Sequence, residues 1–423
     1  MKVLLVNTLY PPRSVGGAER SVEELAESLC RDGAEVRVLT LNTSDDVQSD
    51  VEVRAGVHVY RYQFPRAWPF GAEWSKLSDL AKIAWHFGED HSNHAYRWLS
   101  ANVRDFRPDV VHTNNLAGFG TAPWRAAGDV PIVHTLRDYY LLCTRTTMYR
   151  RDRRCESICS DCKFLTSKRR RVARTGPSVF VGVSRAIITA HLERDAILPR
   201  QRIEVLRNAP KASKGSLPSS DSSCCNREPD PHGNERSSGV SGSDVTVLGF
   251  IGRLEPAKGL AVVVSALQGL IGADFRFVIA GGGRSEHISW IIEVCQTDSR
   301  FEYLGVVDPP EFYRRVDVVV VPTQWDEPFG RVAPEAAMAG KSVLASAVGG
   351  IPETLPGYTR VSYIRNFTSS ESWAQAIAEL IDSGVTRHRK QDRWSPNDTP
   401  QSVARAYAAL YGDVIGASRT PRC

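Results

Sequence analysis

The sequence predicts an α/β protein made of two doubly wound domains, and three observations lead to this fold class. The chain has 423 residues, more than a single hydrophobic core usually serves. Short apolar runs typical of buried parallel strands alternate with amphipathic helical segments. Residues 211–244 interrupt this alternation, because they are rich in Ser, Pro, Gly and charge and contain few aliphatic residues. One α/β domain is therefore expected on each side of this segment.

The predicted domain boundaries follow from this change in composition. Residues 1–210 form a first domain, with a cysteine-rich insertion at about 143–162, and residues 245–400 form a second domain. The segment between them is expected to be a flexible linker or a surface insertion. Residues 401–423 contain a helical pattern that we expect to pack back across the boundary. The apolar face of this pattern consists of Ala404, Tyr407, Ala408 and Tyr411.

The first domain begins with a strand, a glycine-containing loop and a helix. The strand is the apolar run 3–6, the loop contains Gly16 and Gly17, and the helix has an apolar repeat from Val22 to Leu29. Glycines let backbone amides approach a ligand closely, so this layout suits a diphosphate. The pair does not match the G-x-G-x-x-G dinucleotide fingerprint, and a simple tight turn is an alternative of equal weight.

The stretch 65–106 is rich in aromatic residues, several of them at helical spacing. A packed core is the preferred interpretation, and an acceptor groove or an interfacial surface is the alternative. The aromatic residues that define this stretch are Trp68, Phe70, Trp74, Trp85, Phe87, Tyr96 and Trp98.

Four cysteines cluster in the insertion of the first domain, at Cys143, Cys155, Cys159 and Cys162. The N-terminus is too short and too quickly polar for a signal peptide, and no apolar run is long enough to span a membrane, so we expect a cytoplasmic protein. Clustered thiolates in such a protein mark a metal site more often than disulfides. A structural zinc is one interpretation, and unrelated thiols are the other.

The charge of the chain predicts its partners only coarsely. The formal net charge of +5 is modest and spread along the sequence, so nucleic acid is not an expected partner. A continuous basic run occupies residues 168–171. A solvated helix face is the preferred interpretation of this run, and peripheral contact with an anionic membrane at its inner face is the alternative.

The second domain contains a strand, Val318–Val321, whose continuous apolar character is typical of a parallel strand covered on both faces. Ligands of such sheets bind beyond the carboxyl ends of the strands, where Glu327 and Glu335 follow. On a single helix these glutamates would stand about 12 Å apart, against about 5 to 9.5 Å for a glycosidase pair. A better interpretation is that Glu335 binds a ribose and Glu327 a hexose, and two solvated surface charges are the alternative.

Several motifs together resemble glycosyltransferase family 4. They are Gly252-Arg253-Leu254 with Lys258-Gly259, Glu327 and Glu335 eight positions apart, Glu335-Ala336 through Met338-Ala339-Gly340, Gly349-Gly350-Ile351-Pro352-Glu353, and Gly16-Gly17 after the first strand. The resemblance spans nearly the whole chain outside the linker. It implies the GT-B fold, in which two Rossmann-like domains face each other across a cleft. It also implies sugar transfer with retention of configuration and no cofactor required for catalysis.

The resemblance assigns a role to individual residues of the second domain. Arg253 and Lys258 would hold the donor diphosphate and stabilise the charge that develops on it. Glu335 would accept hydrogen bonds from the ribose, while Glu327 and the amides near Phe329 and Gly330 would position the transferred sugar. Gly16 and Gly17 would approach the diphosphate from the first domain.

One segment departs from the family pattern. Many members carry a histidine immediately before the aspartate that corresponds to Asp138, and this chain has Arg137 there. His134 lies three residues earlier, and odd offsets along a strand point to opposite faces, so it replaces that histidine only if the backbone bends. We expect Arg137 to supply a cation near the diphosphate, with Asp138 and His134 as further catalytic candidates. A satisfied core position is an equal alternative for His134.

The resemblance implies a retaining glycosyltransferase. Its donor would be a UDP-, GDP- or dTDP-linked sugar, and its acceptor a glycan, a lipid-linked sugar or a small molecule, in the synthesis of cell-surface polysaccharide or glycolipid. Two alternatives remain on the same architecture. One is a nucleotide-sugar epimerase, which needs no separate acceptor. The other is a non-catalytic nucleotide-sugar-binding protein, which the missing histidine brings into consideration.

Overall fold

The computed structural model describes residues 1–12, 16–42, 51–63, 77–210, 245–383 and 398–419. The predicted linker 211–244 lies outside the described residues, and so do Trp68, Phe70 and Trp74 of the aromatic stretch. Among the described helices, none has the length and apolar character needed to cross a bilayer.

The first domain is built on a large, mostly parallel sheet. Its strands in the described part of the chain run in the spatial order β10-β9-β6-β5-β1-β2-β4-β3, and β3 is antiparallel to β4. A small antiparallel hairpin, β7-β8, projects from the insertion. The strand bounds are β1 Lys2–Val6, β2 Glu35–Asn42, β3 Val51–Arg54, β4 Val57–Gln63, β5 Val110–Thr113, β6 Ile132–Leu136, β7 Tyr149–Arg150, β8 Arg153–Arg154, β9 Val179–Gly182 and β10 Arg202–Val205.

Helices connect these strands and cover both faces of the sheet. Two apolar clusters form the core, one on each face. The helices of the first domain are α1 Gly17–Arg31, α2 Asp79–Asp90, α3 Asn93–Phe106, α4 Ala122–Ala126, α5 Ser160–Leu165, α6 Ser167–Ala173 and α7 Arg185–Glu193.

The second domain contains a fully parallel sheet with the spatial order β13-β12-β11-β14-β15-β16. This is the doubly wound order, so the predicted fold class is confirmed for both sheets. The strands are β11 Thr246–Ile251, β12 Phe275–Ala280, β13 Phe301–Tyr303, β14 Val318–Val321, β15 Ser342–Ser346 and β16 Val361–Ile364. The helices are α8 Leu260–Gly269, α9 Ser285–Thr297, α10 Pro309–Arg315, α11 Val332–Met338, α12 Ser370–Asp382 and α13 Pro400–Arg419, with short 3₁₀ turns at Pro256–Lys258 and Ile351–Glu353.

The strand order places the predicted site. In each sheet the direction of winding reverses between two neighbouring strands, β1 and β5 in the first and β11 and β14 in the second. The loops that leave these strands carry the glycine pair, the Arg253–Lys258 segment and the Glu327 loop. Open α/β sheets bind ligands at this reversal.

Helix α13 packs against the first domain through buried tyrosines. The hydroxyl of Tyr411 lies 2.6 Å from Nδ1 of His112, and the hydroxyl of Tyr407 lies 3.0 Å from Oγ1 of Thr135. Thr135 also contacts Nε2 of His112 at 2.8 Å. Burial holds the pKa of His112 well below its ordinary value, so this imidazole stays neutral and its hydrogen bonds anchor the helix.

The basic run 168–171 differs from a solvated face at one position. The side chain of Arg169 is fully buried, and its guanidinium lies 2.7 Å from both Glu89 and Asp90 at the end of helix α2. Tyr140 adds a hydrogen bond to Glu89 at 2.8 Å and lies beneath the guanidinium. The interpretation of the whole run as solvated is therefore wrong for Arg169, which serves as the internal partner of two carboxylates.

Candidate active site

The glycine pair lies at the start of helix α1 and touches the second domain. The amide of Gly16 donates to Oε2 of Glu19 at 3.0 Å, which fixes the first turn of the helix. A Cβ on Gly17 would stand 2.7 Å from Cδ of Arg331, so a larger residue would displace this side chain from its place between the domains. The sequence missed this reason for a glycine, which is close approach between domains.

Arg331 connects helix α1 to helix α11. Its guanidinium donates to Ser21 at 2.9 Å and to the two carboxylate oxygens of Glu24 at 3.0 and 3.2 Å. Its Nε donates to Oε1 of Glu335 at 2.9 Å. Arg331 therefore orients the carboxylate predicted to bind the donor ribose and ties it to the first domain.

Lys258 and Glu327 form an ion pair between two loops of the second domain. Nζ of Lys258 lies 2.8 and 2.9 Å from the two carboxylate oxygens of Glu327, and both side chains are mostly buried. Gly259, with φ +73°, brings the loops together, because a Cβ there would stand 1.8 Å from the carbonyl oxygen of Pro322. The two predicted ligands of the donor are thus adjacent.

The Gly349-Gly350 motif packs against the backbone of the Glu327 loop. The amide of Gly350 donates to the carbonyl of Glu327 at 2.7 Å. A Cβ on Gly349 would stand 2.4 Å from the same carbonyl oxygen, and a Cβ on Gly350 2.2 Å from that of Pro328. The motif therefore holds the loop by backbone contact, which only glycine permits at these distances.

Arg253, Phe329 and Gly330 have different surroundings. Arg253 is substantially exposed and pairs with Glu255 at 2.8 Å, so its guanidinium is accessible to a ligand. The ring of Phe329 is buried in an apolar cluster of the first domain. Gly330 has φ +81°, and a Cβ there would lie 2.8 Å from Cγ1 of Ile351, so the loop turns sharply just before Arg331.

Arg137 and Asp138 lie together at the carboxyl end of β6. Arg137 is buried and donates to the amide oxygens of Asn114, at 2.8 Å, and Asn208, which are both neutral partners. Asp138 accepts a hydrogen bond from the amide of Tyr140 at 2.9 Å. Burial raises the pKa of Asp138 to about 7, which is the range a general base requires at neutral pH.

The structure does not bring His134 to the other predicted site residues. Its ring packs edge-on against Trp124 and Phe180, and its Nδ1 lies 2.9 Å from Oγ1 of Thr113. Burial lowers the pKa of His134 to about 3, so the imidazole stays neutral. The geometry therefore favours a core position over the catalytic assignment, because Trp124 and Phe180 enclose the buried ring.

Two further contacts between the domains were not assigned from the sequence. Oγ of Ser184 donates to the carbonyl of Pro328 at 2.6 Å. The carboxylate of Glu353 accepts hydrogen bonds from the amides of Arg185 and Ala186, at 2.8 and 2.9 Å, at the start of helix α7. Glu353 is the last residue of the Gly349-Gly350-Ile351-Pro352-Glu353 motif. A serine immediately before a helix, as at Ser184, is an N-cap signal that the sequence contains.

The cysteines of the insertion all carry free thiols. Cys143 and Cys162 are buried, and a hydrogen bond between their thiols lowers the pKa of Cys143. Throughout the described ranges, no three His, Cys, Asp or Glu side chains are grouped so as to hold a metal ion. A structural zinc stays a prediction. Measuring the zinc content of the purified protein, of the variant Cys155→Ser/Cys159→Ser and of the control Cys295→Ser would test it.

Comparison with known proteins assigns both halves of the chain. Residues 16–209 match the family described as glycosyl transferase 4-like domain, and residues 233–398 match the glycosyl transferases group 1 family. An uncharacterized 42.6 kDa protein in the cps region of Klebsiella pneumoniae is 31% identical over 355 residues, which cover 84% of this chain and 87% of that protein.

Solved structures share the fold over the full length. The sucrose-phosphate synthase of Thermosynechococcus elongatus superposes with a TM-score of 0.70 at 18% identity and covers 98% of this chain and 99% of its own. The Anabaena protein HepE in complex with UDP-glucose superposes with a TM-score of 0.57 at 19% identity and covers 99% of this chain and 97% of its own. The chain therefore belongs to glycosyltransferase family 4, has the GT-B fold, and is a glycosyltransferase.

Proposed function

We propose that the protein transfers a sugar from a nucleoside-diphosphate sugar to a glycan or lipid-linked acceptor with retention of configuration. The observation that carries the proposal is the pairing of Lys258 with Glu327 beside the Arg331–Glu335 pair. A cation for phosphate and two carboxylates for sugar hydroxyls stand beyond the strand ends at one sheet reversal, Lys258 and Glu327 before helices and Glu335 in the first turns of helix α11. The similarity of fold to a complex with UDP-glucose supports the donor class.

The Lys258–Glu327 ion pair sets the order in which the diphosphate and the sugar of the donor bind. Glu327 forms two hydrogen bonds with the ammonium group of Lys258. A diphosphate carries more negative charge than a carboxylate and competes for the ammonium group, and Arg253 adds a second cation. Glu327 is then released to accept hydrogen bonds from the sugar. Glu335 keeps one oxygen on Arg331 and offers the other to the ribose.

Transfer then proceeds on one face of the sugar. The bond between the anomeric carbon and the phosphate oxygen breaks, and a bond from the acceptor oxygen to the same carbon forms on the same side. The acceptor hydroxyl gives its proton to the departing phosphate oxygen. Lys258 and Arg253 stabilise the charge on the leaving diphosphate, and Arg137 supplies a further cation from the first domain. Contact between the domains excludes water and so favours transfer over hydrolysis.

Cell-surface polysaccharide or glycolipid synthesis is the setting that we propose for this reaction, since the resemblance to family 4 implies it.

Asp138 faces the same end of the sheet as Arg137, and its raised pKa lets it exchange a proton near neutral pH. We assign Asp138 to the acceptor side, where it would hold the acceptor hydroxyl by a hydrogen bond.

A thermal-shift titration with UDP, GDP, ADP and dTDP tests the donor site. A nucleotide at a hundredfold excess over its dissociation constant stabilises the folded protein by about 2.7 kcal/mol. We expect one nucleotide to stabilise the parent and to have little effect on Glu335→Gln and Lys258→Ala. Glu311→Gln, an exposed change on helix α10, is the matched control and should respond as the parent does.

Sugar release measured with and without acceptor separates the remaining functions. Release that requires acceptor supports transfer, and conversion of the donor sugar without acceptor would indicate an epimerase. Nucleotide-sugar binding without turnover on any acceptor would indicate a binding protein and would contradict the proposal. A protein that no nucleotide stabilises would lack the donor site described above.

A further inference from the structure

Helix α2 turns three large apolar side chains to solvent. Leu80, Ile83 and Phe87 repeat at i, i+3 and i+7 and are 79%, 44% and 56% exposed. Trp85 and Glu89 lie on the opposite side of the helix and are buried, and Asp90 is buried at its end. A surface helix of a globular protein normally keeps its charged side chains outside and its large apolar side chains inside, so the buried carboxylates and the three exposed apolar side chains depart from this arrangement.

Buried ion pairs keep the helix in this orientation. Arg169 lies 2.7 Å from both Glu89 and Asp90, and Nζ of Lys168 donates to the carbonyl of Asp90 at 2.6 Å. Rolling the helix to bury its exposed apolar side chains would remove Glu89 and Asp90 from Arg169. The guanidinium would then stay buried without a carboxylate partner, which costs several kcal/mol. The outward apolar face is therefore a stable property of the fold.

A neighbouring helix extends the apolar face. Helix α5 contacts helix α2, and its Phe164 is 69% exposed. The ring of His91 stacks on Phe87, with ring centroids 4.4 Å apart, and continues the face beyond the end of α2. Exposed apolar residues that occur singly need no explanation, whereas a group on two adjacent helices marks a surface that binds something.

Basic side chains flank this apolar face. Lys163 precedes Phe164 in the sequence and lines a groove of about 760 Å³. Five basic side chains line the groove against three acidic ones, and most of the guanidinium hydrogen bonds go to backbone carbonyls. The basic residues are Lys163, Arg170, Arg171, Arg174 and Arg194, and the acidic residues are Glu156, Glu193 and Asp195.

We propose that this surface docks on an anionic lipid bilayer. Leu80, Ile83, Phe87 and Phe164 enter the boundary between headgroups and acyl chains, and the basic groove contacts lipid phosphates. An apolar face beside clustered cations is the complement of an anionic bilayer surface, which offers hydrocarbon and negative charge at the same depth. None of these residues belongs to the donor site.

Sedimentation with lipid vesicles tests the proposal on the full chain. The parent should bind vesicles of phosphatidylcholine containing phosphatidylglycerol and release them at high salt. Leu80→Gln/Phe87→Gln should lower binding about tenfold or more, because the side chains that enter the bilayer become polar. Ile271→Gln/Val306→Gln, which changes two exposed apolar residues of the second domain, should bind as the parent does.

The charge component has its own variant. Lys163→Gln/Arg171→Gln should lower binding to the anionic vesicles about tenfold and leave the weak binding to pure phosphatidylcholine unchanged. All the substituted residues are exposed, so thermal melting should be equal among the variants. A parent that does not bind anionic vesicles would overturn the proposal, and so would binding that Leu80→Gln/Phe87→Gln leaves intact. If the parent does not bind vesicles but forms a dimer that Leu80→Gln/Phe87→Gln alone dissociates, the apolar face binds a second copy of the chain instead.

Discussion

Arg331 of the second domain and Glu24 of the first form a buried ion pair across the domain boundary. Two guanidinium nitrogens lie 3.0 and 3.2 Å from the two carboxylate oxygens, and each side chain is only 10% exposed. The same guanidinium binds Glu335, so one cation serves both a domain contact and a predicted donor ligand.

Arg331→Met should lower the free energy of unfolding by about 3 to 5 kcal/mol, because it leaves two carboxylates buried without their cation. Glu24→Gln in the same chain should recover part of the loss. Urea denaturation of the parent, both single variants and the double variant measures the coupling. A cost below about 1 kcal/mol for Arg331→Met would show that the pair contributes little, as exposed pairs do.

Gly259→Ala should disrupt the contact between the two loops that carry Lys258 and Glu327. The residue has φ +73°, and the new methyl group would stand 1.8 Å from the carbonyl oxygen of Pro322, so the loops must separate. We expect a loss of at least about 2 kcal/mol in stability together with weaker nucleotide binding. Gly269→Ala is the control, since its Cβ meets nothing within 4 Å. Equal behaviour of the two variants would contradict the prediction.

Asp138→Asn should change the pH dependence of stability. The pKa of Asp138 is raised to about 7, so between about pH 4 and 7 the unfolded chain loses a proton that the folded protein retains. The parent therefore loses stability as pH rises through this window, and the variant lacks this contribution. The variant should gain roughly 1 to 3 kcal/mol relative to the parent between about pH 4 and pH 8. Asp79→Asn, whose side chain is 98% exposed, should show no such trend.

Arg169→Met should destabilise the first domain by about 3 to 5 kcal/mol, since Glu89 and Asp90 would remain buried without a partner. Arg171→Met, in the same basic run but exposed, should change stability by less than about 0.5 kcal/mol. Chemical denaturation of the two variants compares them directly. Similar small effects would mean that water reaches the carboxylates when Arg169 is removed.

Continuous apolar runs predicted the strands well, because a parallel strand covered on both faces buries every side chain and so requires an apolar residue at nearly every position. The run Val318–Val321 is strand β14 without change of bounds, and the site loops follow the strands where the doubly wound order requires. Motifs alone predicted the roles of Lys258 and Glu327. The two residues are 69 positions apart in the chain, so only the folded structure shows that their loops meet.

Other features depend on neighbours that are distant in the chain. Arg331 and Glu24 are 307 residues apart, and their contact depends on how the domains meet. Arg169 looks like its basic neighbours in the sequence, and only the position of helix α2 shows that it points inward. His134 illustrates the same limit, because strand alternation left its direction open until Trp124 and Phe180 enclosed it.

The return of helix α13 to the first domain means that the chain crosses the domain boundary twice, after residue 210 and before residue 398. Both domain contacts described above, Arg331 with Glu24 and Glu353 with helix α7, lie on the boundary that these two passages of the chain cross. Opening of the boundary would separate both pairs together. A donor molecule that favours the closed arrangement would therefore act on all these contacts at once.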